Sequence, residues 1–313
     1  MSQGAKSKSA QATGEQITPG EQSSGVILVA FGNRIYYFQA VHLAFSIKHF
    51  NPGINITLHV DDLKAFERHI LPSKRLFFSN VVEFGCEFSS PAEVKLNMDK
   101  FCTYHRNLFL DTDTLAVGDI APIFKQEQDT DYAVHLNGIY LRSQGNKFPQ
   151  MMWMQPEQVY EHFKLKDDAV LYSTNSSVQY LRKSKTVNKI FGKAREYFAD
   201  AVPLDKLRRT WGNSQPDELY LNAALSSLEM PANFAKPPVY FPVKNDIAPY
   251  QVKETYPLMS YFGPRGNVPV QFTMYMDSWL AQQYANKGLA FAVGTRVSDT
   301  LKHKFANTKR QGK

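Results

Sequence analysis

The hydrophobic and polar residues of this chain first fall into an ordered pattern at residue 25. A short apolar run rich in β-branched residues, GVILVAFG (25–32), predicts a buried strand. RIYYFQAVHLAFSIKHF (34–50) follows, and its apolar residues recur at the spacing of one helix face. NPG (51–53) ends that helix, and the alternating INITLHV (54–60) predicts a second strand. A strand, a helix and a further strand in this order predict a parallel sheet covered by helices.

The same succession of elements continues to about residue 228. Strands are predicted at 81–86, 107–110, 131–137 and 170–181, and helices at 92–104, 184–201 and 217–228. The first turn of the last helix is acidic, which complements the helix dipole. After residue 231 the chain is Pro-rich and irregular, and 268–288 begins extended and then turns helical. We therefore expect a mixed α/β fold with a mostly parallel sheet flanked by helices and an irregular C-terminal part.

Polar segments flank this pattern. Residues 1–24 are rich in Ser, Gln and Gly and predict a disordered tail, because they contain too little apolar surface to offset the entropy of ordering. Residues 25–270 predict one domain, and 271–313 predict a C-terminal helix with a basic tail. The sequence shows neither a secretory signal nor an apolar run of the roughly 18 residues that a membrane helix needs. We therefore expect a soluble, cytoplasmic protein.

The composition supports a packed core, with 43% hydrophobic and 13% aromatic residues. Cys86 and Cys102 are too few for a disulfide framework or a zinc site. They predict buried thiols in a reducing compartment.

The positive charge of the chain is concentrated at its C-terminal end. The formal net charge is +7. The segment 296–313 contains one acid, Asp299, and six basic residues: Arg296, Lys302, Lys304, Lys309, Arg310 and Lys313. A basic tail suits an anionic partner, either nucleic acid or an anionic membrane surface, and the alternative is a tail that only increases solubility.

Two acids interrupt the apolar run NLFLDTDTLAV (107–117). Asp111 and Asp113 follow directly on a predicted buried strand. Ligands of open α/β sheets bind outside the carboxyl ends of strands, and side chains two residues apart can face the same side. Two carboxylates in this position suit a shared Mg²⁺ or Mn²⁺, which commonly bridges carboxylates to substrate phosphates. The alternative is a solvent-facing turn with two unrelated acids.

The context of this pair resembles the GT-A glycosyltransferases of the glycogenin and bacterial galactosyltransferase type. KLNMDKFCTYHRNLFLDTDTLAVGDI (95–120) is similar to the core motif of that family, in which a Lys-Leu pair opens a helix and LDxD holds the two acids. FGNRIYYFQAVHLAFSIKHFNP (31–52) is similar to the first strand and helix of the family. YSTNSSVQYL (172–181) and QPDELYLNAAL (215–225) resemble two later segments. The resemblance extends over residues 25–265 and implies a GT-A-type, Rossmann-like fold.

The resemblance also implies a donor site. Tyr36 would stack on a uracil base, and Lys95 would support the phosphates or the sugar as a further cation. Asp111 would contact the ribose and share a metal ion that Asp113 would bind directly. The alternatives are a surface lysine for Lys95 and an aromatic residue at the edge of the core for Tyr36.

Three further residues match the later segments. Asn175 and Asp217 would be the catalytic pair beside the donor sugar and the acceptor, and Asn222 would contact the donor. The alternative for Asp217 is a helix cap.

The sequence departs from the family pattern where the family supplies a His as third metal ligand. Ser260, in SYFGPRGNVP, stands there, and a neutral hydroxyl is a poor substitute for imidazole. His303 and His135 are the candidates for the third ligand. Arg265 stands beside the position of a family Lys and is a candidate donor-binding cation. Ser177 replaces a family Gly, which narrows the sugar site.

The residues and the resemblance together predict a transferase that depends on Mn²⁺ or Mg²⁺. It would move a sugar from a nucleotide-sugar, most simply a UDP-sugar, to an acceptor hydroxyl with retention of configuration. Three acceptors remain open: a surface glycan or lipid-linked sugar, a protein, or DNA with hydroxymethylated bases, as in phage enzymes. A non-catalytic module that binds sugar nucleotides or glycans is the alternative from a different class.

Overall fold

A computed structural model describes residues 23–84, 87–145, 153–208, 215–241 and 255–260. Its strands are β1 (Ser24–Ala30), β2 (Asn55–Val60), β3 (Asn80–Glu83), β4 (Arg106–Leu110), β5 (Thr114–Ala116), β6 (Tyr132–Tyr140), β7 (Leu171–Arg182), β8 (Val239–Tyr240) and β9 (Leu258–Ser260). Its α-helices are α1 (Ile35–Phe50), α2 (Leu63–His69), α3 (Pro72–Arg75), α4 (Pro91–Lys95), α5 (Met98–Phe101), α6 (Ala121–Gln126), α7 (Pro156–His162), α8 (Lys185–Ala199) and α9 (Asp217–Ser227).

Six of these strands form the main sheet, in the order β3-β2-β1-β4-β7-β6. The strands β1 to β4 run parallel to one another, and β7 is antiparallel to both of its neighbours. Because β1, β2 and β4 are parallel, the residues that follow them, Phe31, Asp61 and Asp111, emerge at one edge of the sheet. The predicted mixed α/β fold with a mostly parallel sheet is confirmed.

Helices cover both faces of this sheet. Alternate residues of a strand point to opposite faces, so Val26 and Leu28 of β1 join the core beneath α1, whereas Ile27 joins the core beneath α8 and α9. All three side chains are fully buried. Burial on both faces explains why β1 reads as a continuous apolar run rather than as an alternating one.

A second, three-stranded sheet has the order β5-β9-β8. It pairs Thr114, the residue after Asp113, with Ser260 in antiparallel register. This sheet therefore holds the chain that leaves the Asp111–Asp113 pair. The sequence analysis did not predict β5, because three residues are too few to show a period.

The predicted helix at 92–104 is wrong as a single element, because the chain divides it into α4 and α5. At the break, the side-chain amide of Asn97 donates a hydrogen bond of 2.8 Å to the carbonyl of Glu93. A side chain that takes a helix carbonyl in this way competes with the regular backbone ladder. The short helices α2, α3, α6 and α7 were also missed, since none is longer than seven residues.

Some expectations fall on residues outside the described ranges. These are the disordered tail apart from its last two residues, the element at 268–288, the basic tail and Cys86. Cys102 is a free, buried thiol, as predicted, and burial raises its pKa to about 12. Among the described helices, none is long and apolar enough to cross a membrane.

Candidate active site

A pocket of about 210 Å³ opens at the carboxyl edge of the parallel strands. Four residues that the sequence singled out line it together: Tyr36, Lys95, Asp111 and Asp113. The rest of its lining is mostly apolar and includes Val29, Phe31, Val94 and Phe109. An apolar pocket with a few convergent polar groups is the usual form of a small-molecule site.

Tyr36 reaches the pocket because of the turn between β1 and α1. Gly32 adopts a φ of +79°, a region that favours glycine, and its N–H donates a hydrogen bond of 2.6 Å to Asp61 at the end of β2. The other oxygen of Asp61 accepts a bond of 2.7 Å from the hydroxyl of Tyr37. With its neighbour held in this way, Tyr36 stands in the first turn of α1 with 39% of its surface exposed.

Lys95 reaches the pocket from the last residue of α4. Ser90 caps this helix by accepting a hydrogen bond of 3.2 Å from the N–H of Glu93. Glu93 in turn accepts a bond of 2.7 Å from the N–H of Ser89. Pro91 stands in the first turn, where its missing N–H costs nothing. These local signals fix the start of α4 and therefore the position of Lys95 one turn later.

Lys95 and Asp111 form an ion pair within the pocket. The Lys95 Nζ lies 2.7 Å from the Asp111 Oδ2, and the two side chains retain 23% and 22% exposure. Burial would lower the pKa of the Lys95 ammonium, but the carboxylates of Asp111 and Asp217 outweigh that effect and raise it. Lys95 is therefore a permanent cation at the centre of an acidic site.

Asp113 carries a carboxylate oxygen without a partner. Its Oδ1 is buried and accepts no hydrogen bond from the described residues. Burial, with the nearby charge of Asp111, raises the pKa of Asp113 to about 7. A buried carboxylate oxygen without a partner, beside a second carboxylate, fits a hard divalent cation, which prefers oxygen ligands. Within the described ranges, no group of three His, Cys, Asp or Glu residues completes such a site.

Strand β7 contributes polar groups because its pairing with β6 is irregular. Val134 pairs with Gln179, but the next residue, His135, pairs with Asn175. Ser176, Ser177 and Val178 therefore have no partner on β6, and bulges of this kind often re-aim side chains beside functional sites. The carbonyl of Ser177 accepts a hydrogen bond of 2.8 Å from the N–H of Asp111, which ties the bulge to the acidic pair.

Ser176 connects the bulge to α9. Its hydroxyl donates a hydrogen bond of 2.7 Å to the Asp217 Oδ2 and lies 3.5 Å from the Lys95 Nζ. Its N–H donates a bond of 3.1 Å to the Oε1 of Glu218. The Oε2 of Glu218 accepts a bond of 2.8 Å from the indole N–H of Trp153. Asp217 thus lies in the same network as Lys95 and Asp111.

Glu218, Ser176 and Trp153 are the members of this network that the sequence analysis missed. The acidic first turn of α9 was attributed to the helix dipole, which accounts for acids on any exposed helix. The sequence signal that could have identified Glu218 is its position, because it directly follows Asp217, which the family resemblance had already selected.

Burial and the neighbouring Asp217 raise the pKa of Glu218 to about 7, although Lys95 opposes the shift. The folded protein therefore binds this proton more tightly than the unfolded chain, whose glutamate has a pKa near 4.5. The stability that this proton contributes is present below pH 4.5 and is lost as the pH rises towards 7.

We expect Glu218→Gln to lose less stability than the wild type between pH 5 and pH 7.5, because glutamine does not titrate. Urea denaturation at both pH values measures this difference in slope. Two parallel profiles would show that Glu218 keeps an ordinary pKa in the folded protein.

The other predicted residues lie differently. The Oδ1 of Asn175 accepts a hydrogen bond of 2.9 Å from the N–H of Ser177 and shapes the bulge. The Oδ1 of Asn222 accepts one of 2.6 Å from Thr174. Both side chains are buried and line no part of the 210 Å³ pocket, so their roles at the donor stay predictions.

Of the two candidates for the third metal ligand, only His135 lies within the described residues. The ring of His135 packs against Phe241, with 5.0 Å between ring centroids, and burial lowers its pKa. It forms no metal-binding group with the acidic pair. Ser260 lies beside that pair through its pairing with Thr114. His303 and Arg265 lie outside the described ranges.

No protein-family model matches the sequence, and no curated protein matches it either. Solved structures do resemble it. The galactosyltransferase LgtC, in complex with donor and acceptor sugar analogs, superposes with a TM-score of 0.52 at 15% identity, over 81% of this chain and 95% of that one. The apo bifunctional glycosyltransferase WbbM superposes with a TM-score of 0.50 at 12% identity, over 81% of this chain and 49% of that one.

The apo-form glycosyltransferase GlyE of Streptococcus pneumoniae gives a TM-score of 0.50 at 12% identity, over 86% of this chain and 64% of that one. This chain therefore spans about half of WbbM and less than two thirds of GlyE, but nearly all of LgtC. The fold is thus the GT-A type that the sequence resemblance implied, and it resembles the fold of LgtC.

Proposed function

We propose that the protein is a glycosyltransferase that moves a sugar from a nucleotide-sugar, of the UDP-sugar class, to an acceptor hydroxyl. One observation carries this proposal: Tyr36, Lys95 and the pair Asp111 and Asp113 come from three separate parts of the chain and meet in one pocket. An aromatic ring, a fixed cation and a carboxylate pair are the three kinds of group that a base, a diphosphate and a diphosphate-bound cation require. The GT-A-type fold supports the same assignment, although a fold alone does not imply a function.

The lining of the pocket contains a suitable kind of group for each part of the donor. The apolar wall of Val29 and Phe31, with Tyr36 beside it, suits a flat base, since aromatic rings stack on the faces of bases. Phe84 stacks on Phe31 at 6.2 Å and extends this wall. Lys95 is the cation in this mostly apolar lining, and its ammonium suits the diphosphate.

Asp111 and Asp113 would hold Mn²⁺ or Mg²⁺ at the strand end. When bound, such an ion neutralises the diphosphate and stabilises the charge that develops on the leaving group. Lys95 and Asp217 would complete the site. Lys95 fixes one oxygen of Asp111 and leaves the orphaned oxygen of Asp113 open to a further ligand. Asp217 is held by Ser176 near Lys95, where it suits contact with the sugar or the acceptor.

Release of UDP from a panel of UDP-sugars in Mn²⁺, with and without excess chelator, tests the proposal. We expect turnover of at least one donor that stops in chelator, and magnetic resonance of the product would show whether the anomeric configuration is retained. Binding of UDP with no turnover of any donor would instead identify a non-catalytic binding module. Turnover that is unaffected by chelator would contradict the role of the carboxylate pair.

Tyr36→Ala is expected to weaken UDP binding by about tenfold, because it removes a ring that stacks on the base. Tyr36→Phe keeps the ring and should bind UDP nearly as well as the wild type. Calorimetric titration of UDP in Mn²⁺ measures both affinities. Equal losses in the two variants would show that the hydroxyl of Tyr36, rather than its ring, contacts the donor.

A further inference from the structure

Glu218 uses both oxygens of its carboxylate inside the fold. The Oε2 accepts the indole N–H of Trp153 at 2.8 Å, and the Oε1 accepts the N–H of Ser176 at 3.1 Å. Glu218 does not line the 210 Å³ pocket. Its side chain is therefore held from two sides and reaches the pocket only through other residues.

The bond from Ser176 has a structural reason. Because the pairing of β6 with β7 jumps from Gln179 to Asn175, Ser176 has no ladder partner on β6. A buried backbone N–H without a partner costs free energy, and Glu218 satisfies that of Ser176. The Oε1 of Glu218 also lies 3.5 Å from the Ser176 hydroxyl, so one carboxylate contacts both the backbone and the side chain of Ser176.

The Ser176 hydroxyl contacts both Asp217 and Lys95. It donates to the Asp217 Oδ2 at 2.7 Å and lies 3.5 Å from the Lys95 Nζ. Lys95 in turn lies 2.7 Å from the Asp111 Oδ2. A rotation of Ser176 would therefore release Asp217 and remove one of the neighbours that hold the Lys95 ammonium.

We propose that Glu218 is a positioning residue, which fixes Ser176 so that its hydroxyl holds Asp217 and Lys95 in the arrangement needed for sugar transfer. The proposal rests on the proposed function, since it assigns a role in that reaction. Trp153 takes part by holding the second oxygen of Glu218. Donor affinity comes from the pocket residues and is separate from this role.

Four variants test the chain of contacts. Glu218→Ala and Ser176→Ala should each lower kcat by about 10²-fold, the size of effect expected when reacting groups are misplaced by about 1 Å. Glu218→Gln and Trp153→Phe each remove one of the two hydrogen bonds of the carboxylate, and should lower kcat by about tenfold. The KM of the donor and the affinity for UDP should change by less than about threefold in all four.

The double variant Glu218→Ala with Ser176→Ala separates positioning from general destabilisation. If Glu218 acts through Ser176, the double variant should be no slower than the slower single variant, because neighbours in one network are not additive. Losses that multiply would overturn the proposal. A large loss of UDP affinity in Glu218→Gln would also overturn it. The glutamine variant decides the matter if the alanine variant does not fold.

Glu196→Gln is the matched control. Glu196 lies on α8, and 66% of its side chain is exposed. Within the described residues it forms an ion pair with Lys193. This variant should keep wild-type kcat and KM.

Crystal structures of the wild type and Glu218→Gln provide a readout that does not depend on activity. We expect the Ser176 hydroxyl to turn away from Asp217 in the variant. An unchanged Ser176 rotamer with intact contacts to Asp217 and Lys95 would overturn the positioning role. Absence of turnover in the wild type with every donor would contradict the proposed function instead, and the two failures are therefore distinguishable.

Discussion

Asp113→Ala is expected to lower kcat/KM for sugar transfer by at least about 10³-fold, which is the largest effect we expect from a single substitution in this protein. Asp113 lines the pocket and carries the buried carboxylate oxygen that no described residue satisfies. Removal of this carboxylate leaves Asp111 as the only acid of the pair, with one of its oxygens already held by Lys95. Initial rates of UDP release in Mn²⁺, together with calorimetric titration of Mn²⁺, measure the loss.

Two companion variants sharpen this test. Asp129→Ala replaces an exposed aspartate after α6 and should keep wild-type activity and Mn²⁺ affinity. Asp113→Asn removes the charge but keeps the shape, and should be as inactive as the alanine variant. Full activity of Asp113→Asn would show that the carboxylate charge is not needed.

The same asparagine variant should be more stable than the wild type at pH 8 without divalent cations. The pKa of Asp113 is raised to about 7 by burial and by Asp111. The wild type therefore loses stability as the pH rises from about 4 to about 7, because the unfolded chain gives up this proton more readily. Asparagine does not titrate and avoids that loss. Activity and stability move in opposite directions here, as is common where a functional site is destabilising.

Lys95→Ala is expected to lower kcat by about 10²- to 10³-fold and also to destabilise the fold. Lys95 is the central cation of a site that holds Asp111, Asp113, Asp217 and Glu218. Removing one partner of a buried ion pair leaves an uncompensated charge. Because Lys95 and Asp111 retain 23% and 22% exposure, we expect a discounted loss of roughly 1–3 kcal/mol.

Thermal unfolding at pH 7.5 and kcat for the best donor measure the two effects of Lys95→Ala separately. Lys100→Ala, on the neighbouring helix α5, replaces an exposed lysine and should change neither. Added Mn²⁺ should not restore kcat in Lys95→Ala, since in the proposed mechanism the ammonium and the ion act at different points of the diphosphate. A Lys95→Ala variant with wild-type kcat would contradict the role of Lys95 in the reaction.

The sequence predicted which residues meet in the 210 Å³ pocket better than it predicted the network beside that pocket. Tyr36, Lys95, Asp111 and Asp113 each stand in a short motif with a fixed spacing, and each motif is local to one strand end or helix end. The contacts of Glu218 join α9 to β7 and to Trp153, which precede it by about 40 and 65 residues. No periodicity or spacing rule connects positions so far apart.

Asn175 and Asn222 also show that the sequence does not reveal the contacts of a side chain. Their positions in resembling segments predicted Asn175 beside the donor sugar and the acceptor and Asn222 at the donor, and both roles stay predictions. Within the fold, each side-chain oxygen holds a neighbouring residue. A residue type and a motif position do not say which way an amide points. The bulge in β7 decides this, and it arises from pairing between two distant strands.

The sequence by itself determined most of the longer strands and helices, the mostly parallel central sheet and the carboxylate pair at a strand end. These follow from local apolar periodicity, turn residues and capping residues, which act within a few positions along the chain. Only the tertiary structure decided that Glu218 and Trp153 hold Ser176, that Ser176 joins Asp217 to Lys95, and that Ser260 pairs beside Asp113. The physical reason is that burial and long-range pairing set the partners and the protonation of these groups, and neither can be read from neighbouring residues.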